Sequence, residues 1–172
     1  MADEKLMRYA VKAHYLDASA LVKLVAEDAD EEPGRAALRA YYYGHSSKYA
    51  TSYCVTEAFS AFKLKFLRKK ITEEQYIQYV RSFIQRIIGS NLQVDEVPIL
   101  TPLVFKEAER MIQKHKIDFI DCFQIVTVLH GKYRVLVGVS QSILITADRG
   151  LAKAARAEGA RVWECTTEPP PA

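Results

Sequence analysis

The sequence predicts an α/β fold with a mostly parallel sheet. Short apolar runs, HYL at 14–16 and ILI at 143–145 among them, alternate with longer segments of helical periodicity. Two of these runs lead within a few residues into an Asp and then a helical pattern, in YLDASALVKL and LITADRGLAKAA, which is the strand–turn–helix rhythm of a parallel sheet. The 172 residues are 49% apolar and 26% charged, which suits one domain with a full core and excludes a wholly disordered chain.

Residues 9–16 read as the first strand, and 18–27 as a helix with Ala20, Leu21, Leu24 and Val25 on one face. The polar break DADEEPG precedes a second helix near 32–43, with Pro33 suited to its first turn. A very short strand is expected near 48–51, then a long helix over 53–69 with Phe59, Phe62 and Phe66 at core spacing. Thr72 with Gln75 three positions later is a capping-box pattern that opens a helix over 72–88, stopped by Gly89. Residues 92–97 alternate like a strand. Helices follow over 101–114, with Pro102 at the first position, and over 119–130, ended by Gly131. The run 143–145 is a buried strand, 149–158 a last helix ended by Gly159, and Val162–Trp163 a final strand. The stretch RVLVGV at 134–139 is apolar enough for an extra strand. Residues 1–8 are expected to form an N-terminal extension, 9–166 the domain, and 167–172 a loose Pro-rich tail.

Several function classes drop out. No apolar run approaches the ~20 residues of a membrane helix. The start MADEKLMRYAVK does not read as a secretory signal, so a soluble cytoplasmic protein is expected. Cys54, Cys122 and Cys165 are too far apart for a CxxC motif or a Cys/His zinc cluster, and read as buried thiols in a reducing compartment. A net charge of +3 permits an anionic partner without announcing one.

The chemistry concentrates in four acids. Asp17 and Asp148 each follow a strand and precede a helix, at the sheet edge where α/β proteins place their sites. Asp is also favoured at helix N-caps, so each alone reads equally well as a cap. Glu57 lies in TEAFSAF and Asp121 in IDFIDCFQIVTV, both amid apolar sequence where a carboxylate rarely stays without a partner. Mutual proximity would raise their pKa values unless a cation neutralised them, and hard divalent cations take oxygen ligands. Pairing of each acid with Arg or Lys is the plainer alternative.

These segments resemble a known family. YLDASALVKL resembles the opening strand and helix of PIN-domain nucleases, TEAFSAF their second acidic motif, DFIDCFQIVTVLHG the third and LITADRGLAKAA the fourth. All four occur in the family's order, and the chain is similar to VapC-type toxins and their stand-alone relatives. The link between the third and fourth motifs is longer here than in the family. The resemblance implies a three-layer α/β/α sandwich around a central, mostly parallel sheet, and an acid cluster of Asp17, Glu57, Asp121 and Asp148 that binds Mg²⁺ or Mn²⁺ and hydrolyses phosphodiesters, usually of RNA, leaving a 5′-phosphate and a 3′-hydroxyl. It further implies a homodimer and, for a toxin, an antitoxin protein that covers the cleft. Thr146 falls where the family often has a hydroxyl, and Ser19 stands near it in expectation. Asp118, three residues before Asp121, is expected chiefly as the N-cap of its helix.

Asp17 and Asp121 are assigned as direct metal ligands, with Glu57 and Asp148 completing the shell or orienting water; one ion and two remain equally open. Arg149, at the strand edge, is the best-placed phosphate contact, and Lys153 a weaker one. Lys65, Arg68 and Lys69 would share one helix face that could guide RNA, although a solvated face is the plainer account. Tyr41, Tyr42 and Tyr43 read as stacking groups, as a subunit contact or, more plainly, as partly buried core. Two further functions stay in view: a non-catalytic RNA- or protein-binding module on the same fold, and an aspartyl phosphotransferase using Asp17. The latter chemistry commonly wants a second acid two residues on, where this chain has Ser19.

Overall fold

The computed structural model describes residues 12–45, 47–90, 92–136 and 140–171. Five strands form one sheet: β1 (Lys12–Leu16), β2 (Lys48–Ala50), β3 (Leu92–Val94), β4 (Gln141–Thr146) and β5 (Val162–Glu164). Their order is β3-β2-β1-β4-β5, and every pairing is parallel. Around it lie α1 (Ala18–Val25), α2 (Arg35–Gly44), α3 (Ser52–Leu67), α4 (Glu73–Ser82), α5 (Pro102–His115), α6 (Phe119–His130) and α7 (Arg149–Ala157).

The strand alternation sorts these helices into two layers. Leu16, Ile143 and Ile145 point to one face, against α1, α2, α3 and α4, with Leu38, Phe62 and Tyr79 in that core. Ala13, Tyr15 and Leu144 point to the other, against Val104 and Met111 of α5, Phe123 and Val126 of α6, and Leu151 and Ala155 of α7. A sheet covered on both faces has little use for polar alternation, which explains why ILI is apolar throughout. The α/β/α sandwich is therefore the architecture of the chain. Among the described residues no helix is long and apolar enough to cross a membrane.

Local chemistry fixes most element ends. Thr72 accepts from the Gln75 amide while the Gln75 side chain accepts from the Thr72 amide, so the expected capping box forms. Pro102 opens α5 behind the N-cap Thr101. The helix expected to run to 88 instead leaves α geometry at Ser82, continuing as a π turn over Phe83–Ile87 and a 3₁₀ turn over Ile88–Ser90, which contains Gly89. Such a turn aims both Phe83 and Ile87 into the core.

Two further expectations need correction. The helix placed near 32–43 begins at Arg35, and Pro33 precedes it. The cause is Gly34, which caps α2 with φ +73, and where any Cβ would collide with the Cys165 carbonyl. The strand expected at 134–139 is absent at 134–136, where turns span Lys132–Val135; 137–139 lie outside the described residues. The C-terminal tail is fastened at its start: Glu168 pairs with Arg156 at 2.6 Å, and its carbonyl accepts from Trp163 Nε1 at 3.0 Å. Residues 1–8, and the first part of the expected strand at 9–11, lie outside the described residues.

Candidate active site

The chain runs outward from β1 to β3 in one direction and from β4 to β5 in the other, so the sheet switches direction between β1 and β4. At such a point the connections diverge and leave a crevice beyond the carboxyl ends of the strands. Asp17 immediately follows β1, and Asp148 follows β4 by one residue. The Asp17 amide donates to Ile145 O at 3.1 Å, which keeps the two strand ends in register.

A cavity of about 110 Å³ opens here, lined by Asp17, Glu57, Asp118, Asp121 and Asp148 together with Ser19, Cys54 and Gln124. Four helices contribute: Asp17 caps α1, Glu57 lies on α3, Asp118 and Asp121 begin α6, and Asp148 caps α7. The sequence-predicted quartet thus meets at one place. No Lys, Arg or His is among the described residues that line it. A larger hollow of about 360 Å³ over α4, lined by Tyr76, Ile77, Val80 and Ile84 among others, has no carboxylate in its wall.

Asp17 is the most firmly held of the acids. It is 6% exposed. One carboxylate oxygen accepts from the Ala20 amide at 2.8 Å, the other from Thr146 Oγ1 at 2.7 Å. Ser19 Oγ lies 2.9 and 2.8 Å from the two oxygens. Both hydroxyls are themselves oriented by backbone amides: Ala147 donates to Ser19 Oγ at 2.8 Å and Asp148 to Thr146 Oγ1 at 2.9 Å. Ser19 and Thr146, expected as support, therefore form the cradle of Asp17.

Burial pushes the Asp17 carboxyl up to about 6, with the Asp148 charge adding to the rise; the Ala20, Thr146 and Ser19 hydrogen bonds oppose it. Asp121 is pushed up to about 7, first by burial and then by Asp118, Asp148, Asp17 and Glu57. Glu57 is raised by burial and by Asp118. A group of carboxylates that raise one another's pKa has a strong demand for positive charge.

The cap reading also holds. Asp148 Oδ1 accepts from the Gly150 and Leu151 amides at 2.6 and 3.0 Å, and Asp118 Oδ1 from the Asp121 amide at 2.9 Å. Capping engages one oxygen of each carboxylate, Oδ1 in both residues. Among the described residues no three His, Cys, Asp or Glu side chains converge as a ready-made ligand shell.

The basic candidates divide. Arg149 is exposed at the start of α7. Its charge reaches Glu164: burial would raise that carboxyl, but hydrogen bonds from Thr166 and Thr167, with Arg149 adding, hold it below its ordinary value. The expected face of Lys65, Arg68 and Lys69 does not exist as one helical surface. α3 stops at Leu67, and Lys69 is left-handed at φ +57. Lys65 is committed to Asp28 at 2.8 Å and Glu31 at 2.9 Å, in a network that includes buried Lys23. Arg68 and Lys69 are exposed. Tyr41 and Tyr42 are core residues, while Tyr43 is exposed. Cys54 and Gln124 are wall residues that the sequence reading passed over.

No protein-family model matches the chain, and no curated protein matches it. Among solved structures it is similar to the crystal structure of PAE2754 from Pyrobaculum aerophilum, with 17% identity and a TM-score of 0.56, over 87% of this chain and 83% of that one. This likeness defines the class of fold, the same α/β/α sandwich, and nothing beyond it.

Proposed function

We propose that the chain is a metal-dependent endoribonuclease that hydrolyses RNA phosphodiesters at the acidic cavity. One observation carries the reading: Asp17, Glu57, Asp121 and Asp148, distant in sequence, line a single small cavity whose described lining contains no basic side chain. The resemblance of the four surrounding segments to PIN-domain nucleases supports the same conclusion.

The donor set fits Mg²⁺ or Mn²⁺, since it consists of hard carboxylate oxygens. Mg²⁺ typically takes one or two carboxylates directly and keeps several waters, so a ready-made shell of three protein ligands is not required. Asp17 and Asp121 would hold the ion, with Glu57 and Asp148 orienting water around it. When bound, the ion supplies a water of lowered pKa and offsets charge on the phosphoryl oxygens. The chain's own residues do the rest. Ser19, Thr146 and the Ala20 amide keep the Asp17 carboxylate in one orientation. Burial and the neighbouring acids raise the Asp121 carboxyl in the metal-free cavity, so a cation held there would favour its ionised form. Arg149 at the rim contacts the RNA backbone.

The family resemblance allows either a stand-alone nuclease or the toxin of a toxin–antitoxin pair; a toxin's inhibitor would be a protein that brings a basic side chain to the acids, and a neighbouring gene for a small DNA-binding protein would favour that version. The capping duties of Asp118 and Asp148 favour a second reading, a non-catalytic binding module, in which these acids serve only the helices.

The deciding experiment incubates labelled single-stranded RNA and DNA with the protein in Mg²⁺, in Mn²⁺ and in EDTA, beside folded Asp17→Asn and Asp121→Asn. Metal-dependent RNA cleavage that both variants lose is the expected result. Folded wild type that neither cleaves nor binds Mn²⁺ would overturn the proposal in favour of the binding module.

A further inference from the structure

Four cavity residues form two matched pairs. Cys54 and Glu57 stand three apart on α3, and Asp121 and Gln124 stand three apart on α6. Residues at that spacing share a helix face, so each carboxylate has its polar neighbour one turn away on the cavity side. All four line the cavity.

The neighbours are joined to each other. Gln124 is 1% exposed, and its Oε1 accepts from Cys54 Sγ at 2.9 Å and from Thr51 Oγ1 at 3.3 Å. Thr51 is the N-cap of α3 and accepts from the Cys54 amide at 3.2 Å. Burial pushes the Cys54 thiol up to about 12, so its sulfur keeps the proton it donates. Gln124 therefore bonds to the first turn of α3 through a single acceptor atom. Its Nε2, by contrast, is buried without a hydrogen-bond partner among the described residues. An orphaned amide donor is costly, and Met or Leu would fill similar space without it. Simple packing does not account for an amide here, whereas a need for the Oε1 link does.

We propose that Gln124 is a positioning residue: by accepting from Cys54 and Thr51 it fixes α3 against α6 and so sets the separation of Glu57 and Asp121 across the cavity. The inference rests on the reading of that cavity as a cation site.

The test uses the whole chain and Mn²⁺ alone, titrated by calorimetry into wild type, Gln124→Met, Cys54→Ala and Cys54→Ser. The serine hydroxyl restores a donor to Gln124 Oε1, and the alanine removes it. Gln124→Met and Cys54→Ala should each weaken Mn²⁺ binding by roughly 10-fold, the usual effect of losing a partner that orients a ligand, and Cys54→Ser should recover most of the loss. A general loss of packing would weaken the serine and alanine variants alike, and that pattern would sink the proposal. Unchanged affinity in Gln124→Met and Cys54→Ala would do the same. Crystal structures of wild type and Gln124→Met read the clamp without any metal. A Glu57–Asp121 separation that moves by more than about 0.5 Å supports it, and a smaller change overturns it. Should wild type bind no Mn²⁺, the nuclease reading fails, and the crystallographic comparison still decides the role of Gln124.

Discussion

Thr146 Oγ1 donates to the carboxylate of Asp17 at 2.7 Å, and this bond joins the ends of two adjacent parallel strands inside the candidate site. Thr146 is fully buried, and its oxygen also accepts from the Asp148 amide. One hydroxyl thus orients one acid through its side chain and another through its backbone. Thr146→Val keeps the volume and removes both bonds. It should destabilise the protein by about 1–3 kcal/mol, the range for leaving buried polar groups short of a partner. It should also raise the Asp17 pKa, because Thr146 is one of the bonds that favour the charged form. Urea unfolding measures the first effect and carboxyl NMR titration the second. A variant as stable as wild type would mean that Ser19 and the Ala20 amide suffice to hold Asp17.

The raised acids make stability depend on pH in an unusual sense. Asp17 and Asp121 both move up from an ordinary 3.8, to about 6 and about 7. Between 3.8 and about 7 these two carboxyls therefore hold more protons in the folded chain than in the unfolded one; buried His14, lowered from 6.5 to about 4, offsets part of this below 6.5. Stability from the two carboxyls is present at low pH and is lost as pH rises through the folded values. The metal-free protein should show a melting temperature that falls between pH 5 and pH 7.5, by on the order of 5 °C. Mn²⁺ should offset the fall at the upper end, because a cation stabilises the ionised carboxylates. Differential scanning fluorimetry across pH, with Mn²⁺ and with EDTA, checks both statements. A melting temperature that rises over this range regardless of Mn²⁺ would contradict the electrostatic account of the cavity.

The parts of the molecule legible in the sequence are those fixed locally. Asp17 after HYL, the Thr72–Gln75 box and Pro102 behind Thr101 each depend on a few neighbours, and each stands where local chemistry puts it. Asp17 and Asp148 could be placed at one edge from the strand pattern, since parallel strands align their carboxyl ends, whereas Glu57 and Asp121, which lie within helices, joined them only through the family resemblance. What stayed hidden depends on distant partners. Lys65 looks like a free cation on a basic run, but Asp28, 37 residues away, claims it. The start of α2 turns on how close Gly34 comes to the Cys165 backbone, which no local pattern announces. Gln124 did carry a signal: an amide in a buried apolar helix, one turn from Asp121, invites the same question about partners that singled out Asp121.

Lys65 and Arg149 should now separate cleanly. Lys65 is 14% exposed and bonded to Asp28 and Glu31, themselves 11% and 14% exposed. Its removal takes the counter-charge from Asp28, while Glu31 keeps Lys23 at 3.1 Å. Lys65→Met should cost an amount between the ~1 kcal/mol of an exposed pair and the ~3–5 kcal/mol of a buried one, with RNA affinity unchanged in the folded protein. Arg149→Ala should leave stability near wild type and weaken RNA binding, lowering the slope of log affinity against log salt by roughly 1. Fluorescence anisotropy over a salt series reads the second effect. The reverse assignment, with Lys65 changing the salt slope and Arg149 silent, would move the RNA path away from the α7 end of the cavity.

The C-terminal segment should matter for stability despite its composition. Trp163 of β5 is 2% exposed, and its indole N–H donates to the Glu168 carbonyl. The Glu168 carboxylate pairs with Arg156 of α7 and also accepts from the Glu164 amide at 3.1 Å. Truncation after Thr167 removes all of these together. The buried indole N–H then loses its acceptor, at a cost of about 1–3 kcal/mol, while the exposed ion pair adds no more than about 1 kcal/mol. For a chain of this size each kcal/mol lowers the melting temperature by roughly 2–4 °C. Glu168→Gln keeps the carbonyl and loses only the charge, so it should lie close to wild type. If truncation and Glu168→Gln melt together, the ion pair rather than the indole bond fastens β5, and if both melt as wild type does, residues 168–172 contribute nothing to the fold.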